Sequence, residues 1–233
     1  MSELLERIKS RGHWHVVIRP GTFSETRIAN ISSLYPILQK TSVQLRGWDF
    51  PHLDTHNPPQ IDVDWIGQEP EWEEYLELWR FYQSGQFVVF RGMDEDWLDR
   101  SVWRKSPEGW KPGQTLSVEE VILQLAEIFE FAARLSFTDA GDDVMRLGIT
   151  IAGLDGRSLR VGSDRSMPKG YIASMDELPY QIDLTRLQLV AESRELSLKP
   201  AIELFRRFGW DPSLEVLRDI QEKYLRRGST VTG

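Results

Sequence analysis

The stretch SVEEVILQLAEIFEFAARLS, residues 117–136, decides the fold class. Its apolar residues recur every three or four positions, which is the period of an α-helix with a buried face. Ser117 followed three residues later by Glu120 has the form of a capping box, so we expect the helix to begin directly after Ser117. The expected buried stripe consists of Val121, Ile122, Leu125, Ile128, Phe129 and Ala132.

Segments with strand character lie on both sides of this helix. Residues 13–20 (HWHVVIRP) and 87–90 (FVVF) are rich in β-branched and aromatic side chains. Residues 144–163 contain Asp155-Gly156 between two β-rich runs, which predicts a hairpin. Shorter runs at 171–175 and 180–184 indicate one or two further strands. We therefore expect an α+β fold whose mixed or mainly antiparallel sheet is packed by the one long helix.

Further helical patterns occur before and after this region. Residues 71–84 carry aromatic and apolar residues at helical spacing and predict a helix. Residues 24–40 predict either one helix kinked at Pro36, or a shorter helix that begins near residue 32 with Pro36 in its first turn. Residues 196–227 predict a pair of C-terminal helices joined by Gly-Trp-Asp, with Pro200 in a first turn. Residues 187–191 are compatible with strand or helix.

Length and composition limit the class of protein. A chain of 233 residues fits a single α+β domain spanning 1–233, and nine Trp and ten Phe supply an ample core. With no Cys there can be no disulfide, thiol nucleophile or thiolate metal site. No apolar run is long enough for a bilayer, and residues 1–14 do not form a secretory signal. We expect a cytoplasmic protein with no membrane association.

The net charge of −8 is unevenly distributed. Residues 54–99 contain twelve Asp and Glu against two Arg, a local charge of −10, so the remaining residues sum to +2. Eight of the nine Trp fall between Trp14 and Trp110, which makes residues 1–110 a Trp-rich acidic half. Proteins that coat nucleic acid are normally basic, so this acidic half argues against broad nucleic-acid binding.

A sequence pattern repeats at residues 42–54 and 87–99. Each copy places Arg-Gly at the end of a strand and an Asp two residues after the Gly, as Arg46 with Asp49 and Arg91 with Asp94. The Gly permits a sharp turn, and the Asp can accept hydrogen bonds from the turn's amides. We favour a repeated structural corner. Chance similarity is one alternative, and a functional pair is another, which requires both Asp to meet in one pocket.

Three sets of residues are candidates for ligand binding. The first is a His/Asp set for a metal ion such as zinc or manganese, because imidazole and carboxylate groups are common ligands of these ions. It consists of His13, His15, His52, Asp54 and His56. The second is a basic set for phosphate or nucleic acid, for which a solvated basic hairpin is the simpler interpretation. It consists of Arg157, Arg160, Arg165 and Lys169.

The third set consists of tryptophans in or beside loops, which are candidate anchors for a partner because Trp is enriched at binding hot spots. These are Trp65, Trp97, Trp103 and Trp110. Covering the core from its edge is the alternative role for these indoles. The mixed charges of the C-terminal helices favour ion pairs within each helix over a surface that tracks phosphates.

The function that these patterns favour is binding without catalysis. No GxSxG, P-loop or GxGxxG motif is present, and no cofactor is implied. We expect a cytoplasmic binding or regulatory protein that acts through a Trp-rich acidic surface on a protein partner. One alternative is a metal-dependent hydrolase or nuclease that uses the His/Asp set. The other is a nucleic-acid-linked regulator that uses the basic hairpin and the C-terminal helices.

Overall fold

The structure is a computed structural model that describes residues 2–46, 48–102, 108–162, 165–166 and 170–228. Its α-helices are α1 Glu3–Lys9, α2 Leu34–Thr41, α3 Val118–Leu135, α4 Arg186–Arg207 and α5 Leu214–Gly228. Its strands are β1 His13–Pro20, β2 Val43–Gln44, β3 Asp49–Phe50, β4 Gln60–Ile61, β5 Trp65–Gln68, β6 Glu71–Trp72, β7 Tyr75–Tyr82, β8 Phe87–Gly92, β9 Thr115–Ser117, β10 Val144–Ala152, β11 Ser158–Val161, β12 Arg165–Ser166 and β13 Glu177–Thr185. Short 3₁₀ helices occupy Ile31–Ser33, Asp94–Asp96 and Leu98–Arg100.

The main sheet is antiparallel, with the strand order β13-β10-β1-β8-β7-β5-β4 and β6 paired to the start of β7. The N-terminal strand β1 lies near its centre, between β8 and β10, so distant parts of the chain are joined at once. A smaller sheet contains the parallel pair β9–β11 and the antiparallel pair β11–β12. The α+β class with a mainly antiparallel sheet is thereby confirmed.

Helix α3 lies at the centre of the core. All six residues of the expected stripe are buried, and so are residues on its other faces, such as Phe131 and Ala133. The helix contacts α4 and α5, and the inward side chains of β1 and β10 belong to the same buried cluster. Each large apolar side chain buried there contributes roughly 1.5–3 kcal/mol relative to an exposed one.

Only one of the two hydrogen bonds of the expected capping box forms at the start of α3. The Ser117 hydroxyl accepts a hydrogen bond from the amide of Glu120 at 3.2 Å, as expected for an N-cap. The amide of Ser117 donates instead to the carboxylate of Glu95 at 2.9 Å. Glu120 is therefore available to another partner, and its carboxylate pairs with Arg46.

The helix predicted over residues 71–84 is wrong, because this segment forms the β6–β7 hairpin. Helix α1 covers one face of β7, where Leu4 and Ile8 pack on Leu76 and Leu78. The other face of β7 contributes Trp79 to the main core. A strand buried on both faces loses its alternating pattern, and its run of apolar residues then resembles the buried face of a helix.

The hairpin predicted for residues 144–163 is also wrong, although its turn is present. Gly156 has a φ of 73°, and the amide of Arg157 donates to the carbonyl of Leu154 at 3.1 Å. The strands on either side belong to different sheets, since β10 pairs with β1 and β13, whereas β11 pairs with β9 and β12. A turn motif specifies local backbone geometry, but tertiary contacts choose the strand partner.

The remaining helices agree with one of the two alternatives, or extend the predicted element. A 3₁₀ turn leads into α2, and Pro36 lies in the first turn of α2 as in the second alternative. The C-terminal pair is α4 and α5, but α4 begins at Arg186 and includes the unassigned residues 187–191. Pro200 lies inside α4 rather than in a first turn, eight residues after the non-helical Glu192. Within the described ranges, no helix has the length and apolar character to cross a bilayer.

A buried ion pair joins the N-terminal region to the small sheet. The side chains of Asp96 and Arg157 are each 1% exposed, and both terminal guanidinium nitrogens of Arg157 donate to the carboxylate. The carboxylate of Asp96 also accepts the amides of Gly12 and Gly113, each at 2.8 Å. Arg157 donates further to the carbonyl oxygens of Gly153 and Thr115. This one pair therefore connects the segment before β1 to the approaches of β9 and β11.

Candidate functional site

The two repeated segments meet at one cleft of about 470 Å³ beside the N-terminal half of α3. The residues that line it are Arg46, Trp48, Asp49, Trp72, Glu73, Glu74, Tyr75, Arg91, Asp94, Glu120 and Glu127. Both Arg and both Asp of the repeat are among them, although Gly47 lies outside the described residues. The cleft is formed by the β2–β3 turn, the β6–β7 turn, the end of β8 and α3.

Arg46 is held against α3 by a cluster of hydrogen bonds. Its guanidinium donates to the two carboxylate oxygens of Glu127 at 3.0 and 2.6 Å, in a bidentate arrangement. It also donates to the side-chain oxygen of Gln124 at 3.1 Å and pairs with Glu120. Because Glu127 is only 2% exposed, Arg46 neutralises a carboxylate that could not otherwise stay charged at low cost.

Arg91 approaches the same position on α3 from the sheet. It donates to Gln124 at 2.6 Å and pairs with Asp94 at 3.3 Å. The side-chain oxygen of Gln124 therefore accepts from both repeated arginines, Arg46 and Arg91. These contacts make one rigid wall of the cleft from three elements that are far apart in the chain.

The two repeated Asp residues serve different local roles. Asp49 accepts from the amide of Leu53 at 2.9 Å and from the Nδ1 of His52 at 2.7 Å, which is the corner geometry that the first copy predicts. Asp94 interacts instead with Arg91. Both carboxylates nonetheless line the same cleft. The repeat thus combines a backbone corner with convergence on one pocket.

A ladder of aromatic rings forms the opposite wall. The indole of Trp48 stacks on that of Trp72 with centroids 5.2 Å apart, and Trp72 stacks on Tyr75 at 4.2 Å. The guanidinium of Arg91 lies 4.8 Å from the centroid of Tyr75 and closes the inner end of the ladder. Tyr75 is buried, Trp72 is half-buried, and Trp48 is 57% exposed. The ladder therefore runs from a half-buried cation to an indole in contact with solvent.

A charged network supports the ladder from behind. The carboxylate of Glu77, which is fully buried, accepts from the Tyr75 hydroxyl at 2.6 Å and from the His52 amide at 2.8 Å. The ring of His52 meets Trp72 edge-on at 4.7 Å. Burial acts to lower the pKa of His52, but its hydrogen bond to Asp49 and the nearby carboxylates outweigh this and raise it. Burial raises the pKa of Glu77, against the attraction of Arg91.

The cleft as a whole carries an excess of negative charge. Its carboxylates are Asp49, Glu73, Glu74, Asp94, Glu120 and Glu127, and its guanidiniums are Arg46 and Arg91, so six acids face two bases, a formal difference of −4. Burial raises the pKa of Asp94, and Arg91 opposes this shift. The combination of aromatic faces with excess carboxylate suits a cationic group.

A pH-dependent stability is expected from Glu95, which lies beside the cleft. Burial raises its pKa to about 7, although the amide of Ser117 opposes the shift. An acid with a raised pKa binds its proton more tightly in the folded state, so its stabilising contribution is complete below about pH 4.5 and lost as the pH rises through 7. When the pH is raised from 5 to 8, the free energy of unfolding of Glu95→Gln should increase by about 1–3 kcal/mol relative to that of wild type.

Urea unfolding at the two pH values measures this gain. Gln keeps a side-chain oxygen that can accept from Ser117, so the variant removes the titration while keeping the hydrogen bond. Glu6→Gln, on the exposed face of α1, controls for the change in net charge. If Glu95→Gln and Glu6→Gln show the same pH dependence, Glu95 does not titrate as described.

The described members of the predicted tryptophan set do not line this cleft. Trp97 is 3% exposed and packs beneath α1, with Arg11 4.0 Å from its ring centroid, so it is a core residue and the prediction of an exposed anchor is wrong for it. Trp65 is covered by Arg80 at 4.4 Å, and the indole of Trp110 donates to the carbonyl of Glu95 at 3.0 Å. Trp103 lies outside the described residues.

The candidate metal ligands occupy separate places. His13 and His15 project from β1 toward Phe90, and His15 stacks on that ring at 4.2 Å. His52 bonds Asp49, and Asp54 accepts the amide of His56 at 2.8 Å. In the part of the chain that the structure describes, no three His, Asp or Glu side chains are arranged to hold a metal ion.

The candidate phosphate contacts are described only in part. Arg157 is buried against Asp96, so it belongs neither to the favoured solvated basic hairpin nor to the alternative phosphate-binding set. Arg160 lies on β11, Arg165 contributes its backbone to β12, and Lys169 lies outside the described residues. At the C-terminal helices, Arg206 of α4 pairs with Asp211 in the connecting segment at 2.7 Å, and Arg218 of α5 pairs with Glu195 of α4 at 3.0 Å. These pairs join neighbouring elements, whereas the mixed charges predict pairs within one helix.

Trp48 and Trp72 are members of the site that the sequence patterns did not indicate. Trp48 lies inside the repeated segment, directly after Arg46-Gly47, and a Trp at a sharp turn is difficult to bury. That position was a usable signal. Trp72 had no comparable signal, because its segment resembled a helix. Comparison with protein-family models, with curated proteins and with solved structures found no match, so the geometry of the cleft alone carries the functional argument.

Proposed function

We propose that this chain is a cytoplasmic binding protein that acts without catalysis and holds a basic segment of a protein partner in the acidic aromatic cleft. The observation that carries the proposal is the exposed indole of Trp48, stacked on Trp72 above a cleft with excess carboxylate. The proposed anchors are therefore Trp48 and Trp72, in place of the predicted Trp65, Trp97, Trp103 and Trp110. The acidic character of the expected surface is retained.

The exposed indole supports binding because a large apolar surface in contact with water is unfavourable, and a partner can cover it. Among the described tryptophans, Trp48 is the only one that remains largely exposed. Trp is strongly enriched at binding hot spots, where a partner removes its apolar surface from water. A rigid ladder reduces the conformational entropy lost on binding, since Trp48 is already positioned by Trp72.

The charges support a basic partner in preference to an acidic one. The arginines of the cleft are already paired, Arg46 with Glu120 and Glu127 and Arg91 with Asp94. An anion would have to displace these carboxylates and would meet the remaining negative charge. A cation gains electrostatic attraction, which also accelerates association at low salt.

The experiment starts from affinity capture with the wild-type chain, identification of the bound protein and its purification for titration. In calorimetry with that purified partner, Trp48→Ala should weaken binding by about 2 kcal/mol or more, which is about 30-fold. Because Trp48 is exposed, the variant should unfold at nearly the same urea concentration as wild type.

Trp65→Ala is the matched comparison, since it removes an indole that lies outside the cleft. Its affinity for the partner should stay close to that of wild type. Raising the salt concentration should weaken wild-type binding, because the attraction is electrostatic. Equal loss from both substitutions, or loss from Trp65→Ala alone, would contradict the proposed cleft.

A further inference from the structure

We propose that the group seated in the cleft is one arginine side chain of the partner, with its guanidinium stacked on the indole of Trp48 at the outer end of the ladder and beside the carboxylate of Asp49. This inference rests on the proposed function, because it names the chemical group that the partner presents. It goes further in separating arginine from lysine and from any neutral side chain.

The charge of the cleft favours one further cation. The wall on α3 already contains a guanidinium, and Arg46 shows how this cleft binds one, with two bonds to Glu127 and one to Gln124. The carboxylates nevertheless outnumber the guanidiniums by six to two. One more cation reduces the repulsion among neighbouring acids, among which the charges of Asp94 and Glu120 act on each other.

The shape of the aromatic ladder favours a planar cation. The ladder consists of nearly parallel rings, with an angle of 11° between Trp72 and Tyr75 and 30° between Trp48 and Trp72. A planar guanidinium can continue such a stack, whereas an ammonium is a compact and strongly hydrated point charge. The inner end of the ladder is already formed this way, with Arg91 over Tyr75 at 4.8 Å.

The chain uses the same contact elsewhere. Arg11 lies 4.0 Å from the ring centroid of Trp97, and Arg80 lies 4.4 Å from that of Trp65. In both cases the cation covers a large aromatic face that would otherwise meet water. The indole of Trp48 has the ring of Trp72 behind it and lies in a cleft lined by carboxylates, but its own surface is 57% exposed.

The test uses three peptides that differ in one side chain: acetyl-Gly-Arg-Gly-amide, the lysine form, and the citrulline form. Citrulline keeps the planar shape of arginine without its charge. Binding is followed from the indole N–H signals of ¹⁵N-labelled full-length protein, with the signal of Trp210 as an internal control. Trp210 packs on Phe205 of α4, outside the cleft.

The arginine peptide should shift the signals of Trp48 and Trp72 and leave Trp210 unchanged. Its affinity should exceed that of the lysine peptide by about tenfold, and the citrulline peptide should not bind measurably. In Trp48→Ala, followed at the Trp72 signal, the preference for arginine should be lost. In Trp65→Ala it should persist.

Equal affinity for the arginine and lysine peptides would overturn the inference, and so would the absence of cleft shifts with all three. Those results are distinguishable from failure of the proposed function. If the purified partner still requires Trp48 but tolerates replacement of its arginines by lysine, then the cleft binds the partner and only the assignment of arginine is wrong. If the partner does not require Trp48, the proposed function itself fails.

Discussion

Asp96→Asn is expected to lower the free energy of unfolding by about 3–5 kcal/mol, a large part of the total for a protein of this size. The substitution keeps the shape of the side chain and removes its charge. Arg157, which is 1% exposed, then remains as a buried cation without its counter-charge. Asn also offers a single side-chain oxygen where the carboxylate of Asp96 accepts from Arg157, Gly12 and Gly113.

The size of this effect depends on burial more than on the number of hydrogen bonds. The pair of Arg146 and Asp183 has the same bidentate form, with bonds of 2.7 and 2.6 Å, but it lies on the surface of the sheet. Asp183→Asn should therefore change the free energy of unfolding very little, because water solvates the charge that remains. Urea unfolding of both variants at neutral pH gives the comparison.

A second variant distinguishes the loss of the ion-pair partner of Arg157 from a general failure to fold. The double substitution Asp96→Leu with Arg157→Met removes both charges, so it should recover part of the stability lost in Asp96→Asn. A loss below about 1 kcal/mol in Asp96→Asn, comparable to that of an exposed ion pair, would show that Asp96 and Arg157 are not buried together.

Arg46→Met is the other substitution for which a large loss is expected, about 3 kcal/mol or more. Arg46 provides the cation for Glu127, which is 2% exposed, and a hydrogen bond for Gln124, which is 4% exposed. Without it, the buried carboxylate of Glu127 loses its cation, and Gln124 keeps only its hydrogen bond from Arg91. The Met side chain fills similar space and cannot replace either contact.

The exposed pair between Arg206 and Asp211 provides the control for this prediction. Arg206 is 61% exposed at its side chain, so Arg206→Met should leave stability nearly unchanged. Combining Arg46→Met with Glu127→Leu should restore part of the loss, because no buried charge is then left alone. If Arg46→Met and Arg206→Met have equal effects in urea unfolding, the wall of the cleft is not organised by Arg46.

The parts of the fold that were predictable are those with a local cause. The period of residues 117–136 marks α3 even though most of its faces are buried, because the polar residues Glu120, Glu130 and Arg134 preserve the pattern. Residues 71–84 failed for the opposite reason. Helix α1 packs on the outer face of β7, and a sequence pattern does not reveal a cover supplied by a segment far away in the chain.

The candidate site was predictable only in part. The Arg-Gly repeat indicated two corners, and the hydrogen bond from the backbone amide of Leu53 to the Asp49 carboxylate agrees with that expectation. That Arg46 and Arg91 meet at Gln124 depends on the packing of α3 against the sheet, which no local pattern specifies. Arg157 was misread because a basic residue beside Gly looks solvent-exposed, whereas its partner Asp96 lies 61 positions away.

The central claim is that the exposed end of the aromatic ladder is where the partner binds. Its most direct test is the indole N–H spectrum of the full-length protein with and without the purified partner. The account predicts that the signals of Trp48 and Trp72 move or broaden, whereas that of Trp210 stays in place. Changes confined to Trp65, or to any indole other than the stacked pair, would contradict it.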